Sequence, residues 1–203
     1  MPSTIEFYFD FLSPYTYLAN TRLASLGVDI AYRPVFIADV MQLVNNQPSP
    51  KCPPKARYAA LDAARWAKRY DIPLSRNPDL WRALAAGQFD ARRLIRGALA
   101  AEEVGVFDQY LTAIFNAIWR TPRDLVSEGG RNAVLQDAGI SPESIWSRAD
   151  TPELHARLDE CVRAAAEKGV FGTPTFIVDG EMFFGNDRLD FIAEHLAKTS
   201  TAA

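Results

Sequence analysis

Sulfur is scarce in this chain: of its 203 residues only Cys52 and Cys161 are cysteines. They lie far apart and outside any C-x-x-C or metal-ligand spacing, which argues against a disulfide framework, a structural zinc site or any other metal centre. A reducing, cytoplasmic setting fits that usage. Histidine is equally sparse. His155 and His195 both fall in polar helical stretches and read as surface residues, and no G-x-S-x-G elbow accompanies them, so a Ser-His-Asp hydrolase has neither its base nor its turn. No hydrophobic run is long enough to span a bilayer, and the opening MPSTIEFYF has no basic leader, apolar run and small-residue cleavage site. With 22 basic against 25 acidic residues and a net charge of -3, the chain carries no electrostatic footprint for nucleic acid or an anionic membrane. No repeat or low-complexity segment is present.

What is present is enough apolar sequence, 48%, for a real core in one domain or in one domain with a large insertion. The aromatic run from Ile5 to Phe11 reads as a strand, a helix is expected over 14–26, and Val28–Phe36 gives a second strand. That β-α-β spacing favours parallel strands. NNQPSPKCPP, residues 45–54, is a proline-rich loop, and Cys52 within it reads as an incidental thiol. Helical patterns follow over 55–70, 91–103, 107–119, 128–137 and 152–168. Thr175–Val178 and Glu181–Phe184 are short strands joined by Asp179-Gly180, a hairpin signal, and a last helix spans 188–196 with Asp187 near its start.

The order β-α-β, helices, β-β-α is that of an α/β thioredoxin-like domain with an inserted all-helical domain. The expected division is 1–50 and 169–203 for the thioredoxin-like part and 51–168 for the insertion, which would line the substrate pocket. Such folds carry C-x-x-C at the corner between the first strand and helix. Here the two positions read Ser13 and Thr16, so the corner cannot run thiol–disulfide exchange on its own sulfur. Ser13-Pro14 is also a common N-cap and N1 pair, and capping and ligand binding are compatible roles for it. Thr173-Pro174, ahead of a strand, suggests a cis bond that turns the Thr173 backbone toward Ser13, where a peptide ligand can add like a strand. A ligand would have to bring the sulfur. A free thiol has a pKa near ~8.5, and an oriented hydroxyl raises its thiolate fraction at neutral pH.

Three stretches, FYFDFLSPYTYLAN, NNQPSPKCPPKARYAALDAARWAKRYDIP and GVFGTPTFIVDGEMFFGNDRLDFI, resemble bacterial 2-hydroxychromene-2-carboxylate isomerases and, slightly less closely, kappa-class glutathione transferases. The resemblance implies bound glutathione, usually a homodimer, and an isomerase that interconverts 2-hydroxychromene-2-carboxylate with trans-o-hydroxybenzylidenepyruvate in naphthalene-type aromatic catabolism. Its substrate would be a small aromatic pyruvate-type molecule. Carried over by position, Ser13 would hydrogen-bond the glutathione sulfur as the catalytic residue. Asn46 and Lys55 would face the glycyl end, Thr173 and Pro174 would meet the cysteinyl backbone, and Asn186 and Asp187 would hold the γ-glutamyl group. Plainer readings stand beside these: Asn46 as a turn residue, Lys55 as a solvated charge and Asp187 as a helix cap. Tyr58 and Asp62 would share a helix face with Lys55, although Asp62 can equally pair with Arg65. Two alternative functions remain open, a kappa-like transferase that conjugates electrophiles and a noncatalytic glutathione- or peptide-binding module.

Overall fold

The computed structural model describes residues 4–201, so residues 1–3 and 202–203, at the outer ends of the expected 1–50 and 169–203 segments, lie outside the described residues. The chain divides into two compact units. One holds the residues up to Trp66 together with those from Arg163 onward, and the other is Ala67–Val162. Compared with the expected 51–168 insertion, this grouping gives residues 51–66 and 163–168 to the sheet-bearing unit.

That unit contains β1 (Thr4–Phe9), α1 (Pro14–Asn20), β2 (Asp29–Pro34), α2 (Ile37–Leu43), most of α3 (Pro53–Tyr70), β3 (Thr175–Val178), β4 (Glu181–Phe184) and α10 (Leu189–Thr201). Among the described residues the sheet has four strands in the order β2-β1-β3-β4. β1 and β2 are parallel, and the other pairs are antiparallel. Alternation along β1 puts Ile5, Phe7 and Phe9 in the core, all fully buried. Phe7 stacks on Phe176 of β3 at 5.1 Å between ring centroids and meets Tyr32 of β2 edge-on at 5.6 Å, so aromatic contacts join all three strands. The expected hairpin forms because Asp179 and Gly180 both take left-handed φ, +50° and +84°, as a tight primed turn requires.

The first helix is shorter than its sequence suggests. α1 ends at Asn20, and a separate 3-10 turn over Leu23–Leu26 follows, closed by Gly27 at φ +67°. α2 is absent from the sequence-based expectation, as are two helices of the other unit, α4 (Pro78–Ala85) and α8 (Pro142–Ala149). His195 also departs from expectation. His155 is exposed, but His195 is only 22% exposed and sits between two carboxylates, with Nε2 3.1 Å from Asp179 and Nδ1 3.2 Å from Glu181. It ties α10 to the hairpin.

The second unit is helical: α4 (Pro78–Ala85), α5 (Arg92–Glu103), α6 (Phe107–Phe115) running into a π-helical turn at Asn116–Arg120, α7 (Glu128–Asp137), α8 (Pro142–Ala149) and most of α9 (Pro152–Glu167). α5 is buried continuously from Leu94 to Ala101. At its centre Gly97 admits the Tyr110 ring, whose hydroxyl donates to the Leu94 carbonyl at 2.9 Å. A Cβ at position 97 would meet the Tyr110 hydroxyl, stand 2.7 Å from Tyr110 Cζ and 3.0 Å from the Trp146 ring. Tyr110 is fully buried and has nowhere to retreat. Gly97→Ala is therefore expected to cost about 1–3 kcal/mol through overpacking, read as a lower urea midpoint at unchanged m. Among the described residues no helix is long and apolar enough to cross a membrane, and no group of three or more His, Cys, Asp or Glu side chains is arranged to hold a metal ion.

Candidate functional site

β1 ends at Phe9, and Asp10 turns the chain into the corner. Ser13 is the N-cap of α1, extended at φ -94° and ψ 117°, with Pro14 at the first helical position. Its Oγ accepts from the Thr16 N–H at 3.2 Å and donates to the carbonyl of Thr173 at 3.1 Å. Ser13 is thus a cap whose hydrogen is directed across the corner to a segment 160 residues away. The Thr173–Pro174 peptide is cis, as the sequence suggests. Thr173 is nearly buried, at 8% exposure.

The corner continues through backbone bonds. Thr175 Oγ1 donates to the Gly172 carbonyl at 2.7 Å, and the Gly185 N–H donates to the Pro174 carbonyl at 3.0 Å. Gly185 leads into a 3-10 turn, Asn186–Arg188, that packs against α1. Asn186 is buried, and Asp187, a third exposed, makes an ion pair with Arg188 at 3.1 Å. Asn46 is exposed, and its Nδ2 donates to the Phe171 carbonyl at 2.9 Å while its Oδ1 accepts from the Gln47 N–H. Ser13, Asn46, Thr173, Pro174, Asn186 and Asp187 are therefore linked around one corner. Lys55 is not: it stands exposed in the first turn of α3, and among the described residues no hydrogen bond or ion pair ties it to the others.

Asp62 does not follow the helix-surface reading. Its two oxygens accept from Tyr15 at 3.0 Å and from Tyr58 at 3.4 Å, and the Tyr15 hydroxyl also lies 3.3 Å from the Ala59 carbonyl. Burial, the bond to Asp62 and the negative charges of Asp62 and Asp187 push the Tyr15 hydroxyl well above the usual phenol range. Tyr15 is held as a neutral donor, one residue past Pro14.

Two features escaped sequence reasoning. Phe171 and Phe184 pair at 4.6 Å between centroids beside Gly172, each more than a third exposed, and make an apolar border to the corner. Their separation of 13 positions hides the pair. Asp10 is 1% exposed and receives two backbone N–H groups, Leu12 at 2.8 Å and Ile37 at 2.9 Å. Burial raises its carboxyl to about 6, against the lowering effect of those two bonds and with a further push from Asp39. The one local signal is an aspartate set between two phenylalanines at a strand end.

The family model for the DSBA-like thioredoxin domain matches residues 4–197. A 2-hydroxychromene-2-carboxylate isomerase of Sphingobium xenophagum is 31% identical, over 97% of this chain and 99% of its own. Human glutathione S-transferase kappa 1 is 27% identical over 98% of this chain and 92% of its own. Among solved structures, a selenomethionine 2-hydroxychromene-2-carboxylate isomerase superposes with a TM-score of 0.80 at 28% identity, covering 97% of this chain and 96% of that one. With a sulfur-free corner, a cis proline facing it and near full-length similarity, the chain belongs to the DSBA-like thioredoxin family, on the branch of the 2-hydroxychromene-2-carboxylate isomerases and kappa-class glutathione transferases.

Proposed function

We propose that this protein is a glutathione-dependent isomerase that interconverts 2-hydroxychromene-2-carboxylate and trans-o-hydroxybenzylidenepyruvate, working as a homodimer in the cytoplasm of a cell that degrades naphthalene-type aromatics. The observation that carries the reading is the Ser13 hydroxyl, 3.1 Å from the Thr173 carbonyl at a corner where neither Ser13 nor Thr16 supplies sulfur. The near full-length isomerase relatives supply the reaction class.

The donor set suits a γ-glutamyl-cysteinyl-glycine tripeptide. Ser13 offers a hydroxyl donor for a thiolate, and the Thr173 backbone offers a strand-like edge for the cysteinyl residue. Asp187, partly exposed, offers a carboxylate for the γ-glutamyl ammonium beside the buried Asn186. Asn46 and the exposed Lys55, with no ion pair among the described residues, offer an amide and an ammonium for the glycyl carboxylate. When bound, glutathione supplies a thiol that serves as nucleophile and then as leaving group, with no net redox change.

The work of the chain's own residues follows from this placement. Ser13 must turn its hydrogen from Thr173 toward the sulfur position, which leaves its oxygen still accepting from Thr16 and the cap intact. Tyr15, kept protonated, is the nearest side-chain phenol along α1 and donates to Asp62, which in turn accepts from Tyr58. The Phe171–Phe184 pair, its rings tilted at 51° to each other, offers an apolar edge against which an aryl ring can pack.

The test is a spectroscopic one. Purified protein is mixed with 2-hydroxychromene-2-carboxylate, and the ultraviolet spectrum is followed with and without glutathione. Equilibration that depends on glutathione supports the isomerase. Conjugates of added electrophiles with no equilibration would move the protein to the kappa-like transferase reading, and glutathione binding without either reaction to a binding module.

A further inference from the structure

Five hydrogen bonds close a ring around the Ser13 corner, and a sixth, from Leu12, braces it. Asp10 Oδ1 accepts from the Leu12 N–H at 2.8 Å, and the Asp10 carbonyl accepts from the Ser13 N–H at 3.3 Å. Ser13 Oγ donates to the Thr173 carbonyl, and two residues earlier the Phe171 carbonyl accepts from Asn46 Nδ2 at 2.9 Å. The Asn46 N–H donates to the Met41 carbonyl of α2 at 2.7 Å, and the first N–H of α2, on Ile37, returns to Asp10 Oδ2 at 2.9 Å. The strand end, the corner, the cis-proline loop and α2 are thus joined in one circuit, and Asp10 enters it twice and braces it once.

Building on the glutathione reading above, we propose that Asp10 is the positioning residue of this site: its buried carboxylate holds the N–H of Leu12, the residue before Ser13, on one side and the first N–H of α2, the helix that leads to Asn46, on the other, so that Ser13 and Asn46 face the same tripeptide. Only the ionised carboxylate accepts both N–H groups at full strength. An amide turns its NH2 toward one of them, and a protonated acid offers that one only a weaker hydroxyl acceptor: loss at Ile37 opens the ring, and loss at Leu12 loosens the turn into Ser13. A carboxylate in a dry site is costly to keep, and a role limited to capping α2 needs only one acceptor. Two acceptors aimed at two different segments are what a coupling role requires. Asp39 of α2 is the charged group acting on Asp10, while α1 and β3 carry no charged side chain. Because Asp10 takes up a proton near pH 6, the ring is closed at neutral pH and opens or loosens under mild acid.

Two substitutions address the ring without touching the proposed ligand contacts. Asp10→Asn removes one acceptor. Ile37→Pro removes one donor, at the first helical position, where proline is well tolerated, and after Phe36, whose ψ of 100° suits a residue preceding proline. Glutathione affinity is measured by calorimetry from about pH 5 to about pH 8, together with the ultraviolet absorbance of the bound thiolate and a check of folding by circular dichroism. The wild type is expected to bind about tenfold more weakly at the acid end, the equivalent of about one lost hydrogen bond. Asp10→Asn should bind about tenfold more weakly at neutral pH and lose the acid limb. Ile37→Pro should move the midpoint of that limb upward, since a bond that favours the carboxylate is gone. A folded Asp10→Asn with wild-type affinity and profile overturns the proposal. If Asp10→Asn does not fold, Ile37→Pro with an unmoved midpoint overturns it alone. Absence of glutathione binding by the wild type at every pH is a different result, which removes the functional reading and the proposal with it.

Discussion

Ser13→Ala is expected to lower turnover of 2-hydroxychromene-2-carboxylate about 100-fold at saturating glutathione, the usual cost of deleting one preorganised donor to a developing or resident anion. Glutathione affinity should change less than turnover, because the backbone of Thr173 and the turn carrying Asn186 and Asp187 are unaltered. The bound thiol should also titrate at higher pH, since the hydroxyl that favours its anion is gone. Stability should fall by about 1 kcal/mol, because alanine is a poor cap and the Thr16 N–H loses its acceptor. The two losses separate by measurement: turnover and thiolate absorbance report the catalytic part, and urea unfolding reports the cap. Equal turnover in the two proteins, with glutathione bound, would leave Ser13 as a cap alone.

A second large effect concerns stability against pH, and it traces to Asp10. Its carboxyl rises from the ordinary 3.8 to about 6 in the folded protein, chiefly through burial. The folded state then holds the proton more tightly than the unfolded chain, so between these two values folding takes up a proton. This group's contribution to stability is therefore greatest below about pH 4 and declines as pH rises through about 6, by about 3 kcal/mol in total. Other carboxylates run the opposite way. Burial would raise Glu6, but hydrogen bonds from Lys168 and Tyr8 and the charges of Lys168 and Arg33 hold it below its usual range. Its contribution is present at neutral pH and lost on acidification. The measurement is the difference between wild type and Asp10→Asn in unfolding free energy at each pH, which cancels Glu6 and isolates Asp10. Curves that run parallel across the interval would show that position 10 stays ionised in both states.

Both effects come from the strand end and corner, the part of the fold most readable from sequence, yet only half of the arrangement was readable there. Ser13-Pro14, Thr173-Pro174 and Asp179-Gly180 are local signals, and each produces the cap, cis bond or turn that its chemistry dictates. Most long helices were equally plain, with α7 matching its expected span and α3, α5 and α9 differing by a residue or two, while α10 runs to Thr201, five residues past its expected end at 196. The short ones were not. α4 and α8 begin at Asn77-Pro78 and Ser141-Pro142, the same cap-and-proline signal as α1, but at eight residues each their apolar periodicity is too brief to stand out. α2 has no side-chain cap of its own, because Asp10 receives its first N–H from outside the helix. The role of Asp10 was hidden for the same reason. Its partners are backbone groups, which carry no residue type, and one of them lies 27 positions away. Lys55 shows the converse: a resemblance names it, and no contact of its own yet draws it to the corner.

The pairing of Ser13 with Thr173 also bears on how the protein is made. β1 finds β2 within the first 34 residues, but its other edge pairs with β3, which begins at Thr175. At typical synthesis rates roughly 10–30 s separate the emergence of the two strands. Throughout that interval one edge of β1, with Phe7 and Phe9 on its core face, has no partner, and it is the kind of segment that chaperones hold and that aggregation recruits. The helical unit lies wholly within the delay and has the local contacts to fold during it. The Ser13 corner is consequently completed late: a nascent protein halted before Thr173 owns its serine and has no carbonyl to aim it at.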